Sequence, residues 1–134
     1  MQFQQLKEYL ENIPFWKYLG IKVHKVENGY VELYLPFKKE LGQVHGNMHG
    51  GALATLLDTA GAVAVRSTIN HEVVNTTEMK INYLRPVTPD QSAVIASGRV
   101  IHAGETLGVS NVELRNSEEK LVAAGIGTYI VLNR

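Results

Sequence analysis

Hydrophobic positions keep helical spacing at the start of the chain, then alternate with polar ones, then fill one long stretch almost completely, and then alternate again. Phe3, Leu6, Tyr9, Leu10 and Ile13 recur at helical spacing, and Pro14 marks the stop of a short amphipathic lead-in helix. From about Tyr18 the period is two: Val31, Leu33, Leu35 and Phe37 alternate with Glu32, Tyr34 and Pro36. The turn Glu27-Asn28-Gly29 joins that strand to the preceding LGIKVHKV as a hairpin. From roughly Gly50 to Ser67 nearly every face is apolar, which predicts one long helix buried all round. The remainder is nearly all strand. NTTEMKINYLRPV sets Thr77, Met79, Ile81 and Tyr83 against Glu78, Lys80 and Asn82, and SAVIASGRVIHAG, ETLGVSNVELRN and KLVAAGIGTYIVLN follow. Between Val109 and Val112 the apolar phase slips by one, which predicts a bulge near Ser110 or Asn111.

The element order is thus a helix, two strands, a long apolar helix and four strands. The long helix cannot span a membrane, which takes roughly 18 or more apolar residues. The simplest way to bury it is to wrap an antiparallel sheet around it. Gly51, Ala52, Ala54, Gly61 and Ala62 would let backbone approach closely. The expectation is an α+β fold, a curved antiparallel sheet around one long central helix with a short N-terminal helix, in a single domain spanning 1–134.

Thirteen Lys and Arg balance thirteen Asp and Glu, which argues against a nucleic-acid or polybasic membrane footprint. The chain has no cysteine, so disulfides, thiolate metal sites and a Cys nucleophile are excluded. Five scattered histidines lack ligand spacing, so no metal is expected. MQFQQLKEYLENIPFW lacks the pattern of a signal peptide, and a soluble cytoplasmic protein is expected.

One acid, Asp58, sits in the middle of the apolar helix. An unpaired carboxylate in an apolar interior is costly, so it is either paired, with Arg66 or a strand lysine as candidates, or functional. Positions three and four away are Ala54, Thr55, Gly61 and Ala62, and Arg66 lies about 12 Å along the axis, so no local partner exists. At the helix start, His49, Gly50 and Gly51 place open backbone N–H groups at the positive end of the dipole, where glycine lets a substrate oxygen come close. Such a start suits polarisation of a carbonyl, although Gly-Gly and His are also ordinary helix caps. Gly50 and Asp58 are about 12 Å apart along the helix and cannot both reach one carbonyl carbon. Two antiparallel helices from a two-fold dimer solve this, so a composite site and an obligate homodimer are expected.

HGGALATLLDTAGAVA, with its acid nine residues after His49, and TTEMKINYLRPV together resemble the hotdog-fold acyl-CoA thioesterases of the PaaI-like, phenylacetate-pathway and hydroxybenzoyl-CoA type. The resemblance covers most of the chain. It implies Asp58 as nucleophile or general base and the Gly50 N–H as the group that polarises the thioester carbonyl. It implies His49 as a residue holding the thioester end, Gln43 as an amide near the attacked carbonyl, and Thr76 as a hydroxyl that orients water. Gln43, His49 and Gly50 would come from one subunit, Asp58 and Thr76 from the other. Some members carry Glu and a Thr one turn later; here that position is Ala62, and Thr77 and Thr59 are alternative hydroxyls.

The expected substrate is an acyl-CoA, aromatic or aliphatic, with coenzyme A as part of the substrate and no separate cofactor. Asn47, Gly51, Lys80 and Arg85 are candidate binding residues, with Arg66 and Arg99 further cations for the coenzyme phosphates. A dimer of dimers is expected. A non-catalytic acyl-CoA-binding protein would not need Asp58, and a hotdog dehydratase or hydratase would carry a His in a different motif, without an HFP stretch here.

Overall fold

The computed structural model describes residues 3–69 and 73–132. Helices α1 (Phe3–Glu11) and α2 (Pro14–Leu19) lead into strands β1 (Lys22–Glu27) and β2 (Tyr30–Pro36). A single 3-10 turn, Lys39–Leu41, precedes the long helix α3 (Gly50–Arg66). Strands β3 (Val73–Tyr83), β4 (Ala93–Ala103), β5 (Leu107–Arg115) and β6 (Leu121–Leu132) complete the fold. The six strands form one antiparallel sheet in the order β1-β2-β4-β5-β6-β3. Helix α3 packs against β2, β3, β4, β5 and β6, so the sheet curves around it as the hotdog arrangement requires. No helix among the described residues is long and apolar enough to cross a membrane. Asn133, expected in the last strand, lies outside the described residues.

The closeness of α3 to the sheet explains the glycines of the strands. A β-carbon on Gly98 would lie 2.4 Å from the Ala60 carbonyl oxygen, and one on Gly108 would lie 2.5 Å from a Val65 methyl. Ser110 also faces inward, and its hydroxyl donates to the Gly61 carbonyl at 2.9 Å. These residues correct the expected phase slip in β5. Gly108, Ser110, Val112 and Leu114 form one unbroken inward row. The first two look non-apolar only because the helix leaves them no room. Irregularities of register occur instead at His24 in β1, Thr77 in β3, Ile101 in β4 and between Leu114 and Arg115.

The lead-in is two helices rather than one. Pro14 cannot continue α1, yet it fits the first position of α2, where a missing N–H costs nothing. Gly20, with φ +93°, closes α2 by donating its N–H to the Trp16 carbonyl. The alternating pattern therefore begins near Lys22 rather than Tyr18. Leu10, Trp16 and Leu19 turn inward, and Glu11 anchors α1 by accepting from the Val23 N–H at 2.7 Å and from Lys7 at 2.5 Å. Burial raises the Glu11 pKa, but Lys7, the Val23 N–H and Lys22 outweigh it, so the carboxyl titrates below its ordinary 4.5.

Gly98→Ala should cost about 3 kcal/mol in urea unfolding, because backbone rather than a flexible side chain meets the new methyl. Glu11→Gln should lower the melting temperature at neutral pH. Because the folded-state pKa is depressed, that difference persists above the ordinary value of 4.5 and closes as pH falls through the lower folded value.

Candidate active site

The start of α3 is organised by His49. Its imidazole Nδ1 accepts from the Gly51 N–H at 2.8 Å, and its carbonyl accepts from the Ala52 and Leu53 N–H groups. With the His49 N–H donating to the Leu41 carbonyl, three of the four open amides at this helix start, those of His49, Gly51 and Ala52, are used. Among the described residues nothing accepts from the Gly50 N–H. Gly50 borders a cavity of about 300 Å³ lined also by Gln43, Asn47, Tyr83 and Arg85 among others. The Tyr83 hydroxyl donates to the Gly50 carbonyl at 3.1 Å, which ties the end of β3 to the helix start.

The preceding loop is held by its own backbone. The Gln43 N–H donates to the Asn47 carbonyl, and Gly46 turns at φ +90°. The Gln43 side-chain oxygen accepts from the His45 N–H, so His45 closes the loop through its backbone. Gln43 and Asn47 thus reach the same cavity as Gly50, as the sequence suggested. Gly51 serves the cap.

Asp58 stands half-buried two turns further along α3 and lines a different cavity, of about 320 Å³, with Tyr9, Trp16, Thr59 and Ala62. Its Oδ1 accepts from the Thr76 hydroxyl at 2.6 Å. Among the described residues no Lys or Arg pairs with Asp58, so the alternative of an ion pair with Arg66 or a strand lysine fails. The bulge at Thr77 is what delivers Thr76. Thr76 opposes Tyr129, while Glu78 opposes the adjacent Thr128, so Thr77 is an extra residue that shifts the inward phase. The inward row reads Thr76, Met79, Ile81 and Tyr83, with Thr77 removed from the stripe expected for it.

Behind Asp58 lies the fully buried Tyr129, whose hydroxyl donates to the Asp58 backbone carbonyl at 3.1 Å. Burial first, and the negative charge of Asp58 second, push its phenol well above the ordinary value of 10.0, so it stays protonated as a donor. Tyr83 and Tyr129 were not singled out from sequence. Their inward register positions were the available sign.

The candidates for phosphate binding separate. Arg85 borders the Gly50 cavity and donates to the Leu121 carbonyl at 2.9 Å. Lys80 lines neither cavity, Arg66 lies on the Asp58 side, and Arg99 stacks on the Tyr30 ring at 4.4 Å. Within one chain, therefore, Gln43, Asn47 and Gly50 form one cluster and Asp58 and Thr76 another.

The thioesterase superfamily model matches residues 45–123, which include the helix and, apart from Gln43, the residues of both clusters. The chain belongs to the thioesterase superfamily. It is a thioester hydrolase of hotdog fold. The medium/long-chain acyl-CoA thioesterase YigI of Escherichia coli is 30% identical over 92% of this chain and 88% of its own length. Among solved structures, the PaaI protein of the E. coli phenylacetic acid degradation operon superposes with a TM-score of 0.88 at 27% identity, covering 98% of this chain and 93% of that one. Thioesterase HI1161 of Haemophilus influenzae gives a TM-score of 0.89 at 25% identity, covering 99% and 92%.

A hydrogen bond to a carboxylate is a strong one, so Thr76→Val should slow thioester hydrolysis by about tenfold or more while Thr76→Ser retains most of it, measured as kcat/KM.

Proposed function

We propose that this thioester hydrolase acts on acyl-CoA at a site shared between two copies of the chain, with Asp58 and Thr76 from one copy and Gly50, Gln43 and Asn47 from the other. The observation that carries the reading is the Gly50 N–H, unclaimed among the described residues, at the start of the same helix whose middle bears Asp58, which among those residues has a hydroxyl donor and no cationic partner. A thioester carbonyl placed on that amide would have its developing negative charge stabilised by the amide and the helix dipole. Asp58 then attacks the carbonyl carbon, expelling coenzyme A thiolate and leaving a mixed anhydride that water hydrolyses, or it takes a proton from the water that attacks directly. Either route ends in free acid and coenzyme A. His49 acts by capping: it occupies the Gly51 amide and leaves that of Gly50 for substrate.

Strand β3 supports the pairing of copies. It is 11 residues long, lies at the edge of the sheet, and touches both clusters, through Thr76 near one end and Tyr83 at the other. Antiparallel pairing of two β3 edges about Met79 would set Glu78 of each copy against Lys80 of the other, a self-complementary charge arrangement. In that pairing the Gly50 cluster of one copy approaches the Asp58 cluster of the next. Lys80 then serves assembly rather than substrate. Arg85 is the cation placed to meet the coenzyme phosphates.

Asp58→Asn should reduce coenzyme A release at least about a hundredfold with little change in stability. Gly50→Pro removes the amide proton and adds a ring without disturbing the helix backbone, because proline fits the first helical position and His49 already has the extended φ −63°, ψ +135° that a following proline requires. It should be similarly inactive. Refolded together in equal amounts, the two variants should recover about a quarter of wild-type activity, since hybrid dimers hold one intact site of two. Absence of any recovery would place the site within one chain and overturn the shared arrangement. Unimpaired turnover by Asp58→Asn would overturn its catalytic role.

A further inference from the structure

Three cavities lie in a row beneath α1. The first, of about 320 Å³, begins at Asp58 and runs along α3 to Arg66 under Tyr9, Leu10 and Trp16. The second, of about 220 Å³, shares Leu10, Val63 and Arg66 with the first and adds Leu6, Val26 and Ile69. The third, of about 260 Å³, shares Leu6, Val26 and Ser67 with the second and ends at Phe3, Glu27 and Asn28 on the β1-β2 hairpin. Between Asp58 at one end of the row and Glu27 at the other, the charged side chain is Arg66, which lies over the Tyr9 ring at 5.9 Å.

We infer that this row is the acyl channel and that the substrates are straight-chain acyl thioesters of medium to long length. The inference rests on the assignment of Asp58 as the reacting acid, since that carboxylate marks where the carbonyl end must lie. From Asp58 to Arg66 the helix rises about 12 Å. An extended chain advances roughly 1.2 Å per bond, so the first cavity alone takes about ten carbons. Longer chains continue into the second and third cavities. A compact acyl group such as phenylacetyl fills only the part of the row next to Asp58. The roof is α1, which offers Leu6 and Leu10 to the channel and is anchored at its end by Glu11 to the Val23 N–H.

The test is kcat/KM across acyl-CoA thioesters from butanoyl to hexadecanoyl, with phenylacetyl-CoA beside them. For the wild type it should rise about fourfold per methylene up to about decanoyl, remain high through hexadecanoyl, and exceed the value for phenylacetyl-CoA. Leu6→Trp fills the second and third cavities and should lower the ratio of hexadecanoyl to octanoyl turnover at least tenfold. Val26→Trp fills them from the opposite wall and is read the same way, while Leu6→Ala should preserve the ratio. Trp16, the single tryptophan, lines the first cavity, so decanoyl-CoA should change the fluorescence of Asp58→Asn protein without turnover. A preference for butanoyl- or phenylacetyl-CoA, or a ratio that neither tryptophan variant moves, would overturn the channel while leaving Asp58 in its role. Turnover untouched by Asp58→Asn would overturn the channel by removing the reading beneath it.

Discussion

The distance between α3 and the sheet is the constraint on which the rest of the molecule depends. Gly98 and Gly108 give up their side chains so that the helix can lie directly on β4 and β5, and Gly61 does so on the helix side beneath Tyr129. At this separation Leu56, Leu57 and Ala60 are wholly excluded from water, and the core closes with Val31, Leu33 and Leu35 of β2 and Val112 and Leu114 of β5. Burial of that kind contributes roughly 1.5 to 3 kcal/mol for each large side chain, enough to hold in place a helix with an acid at its centre.

The acid is tolerated because of where it points. Asp58 is not inside the closed core; it is half-buried at the mouth of a cavity, with the Thr76 hydroxyl as donor. Its main-chain carbonyl is held from the other side by Tyr129. One residue is thus fixed through its backbone by a buried phenol and through its side chain by a hydroxyl on a bulged strand. The cap at the other end follows the same economy. His49 satisfies the amides beyond Gly50 and leaves one donor for a ligand.

Much of this was legible in the chain. The all-round apolar run from Ala52 to Val65 announced a central helix, the alternation in β2 and in Met79, Ile81 and Tyr83 announced a sheet around it, and Asp58 with His49-Gly50-Gly51 stood out because no neighbour on the helix could explain them. The errors arose where tertiary packing overrides local pattern. Gly108 and Ser110 look polar or neutral, yet they are core positions whose partner is a helix forty to fifty residues earlier in the chain. Pro14 ends one helix and opens another, and only the first effect shows in a periodicity. The bulge at Thr77, which decides whether Thr76 or Thr77 meets Asp58, leaves no mark in composition, because both are threonine.

Strand β3 has a further consequence. Its outer margin is a row of backbone donors and acceptors on an 11-residue strand, and such a margin accepts any extended segment that reaches it. Glu78 and Lys80, of opposite sign and two residues apart, act there as gatekeepers: they discourage indiscriminate sticking yet suit an inverted copy of themselves. Under the pairing proposed above, this margin stays uncovered until a chain meets its twin, so dilution, rather than a weaker fold, is the condition that would leave it open to the wrong neighbour.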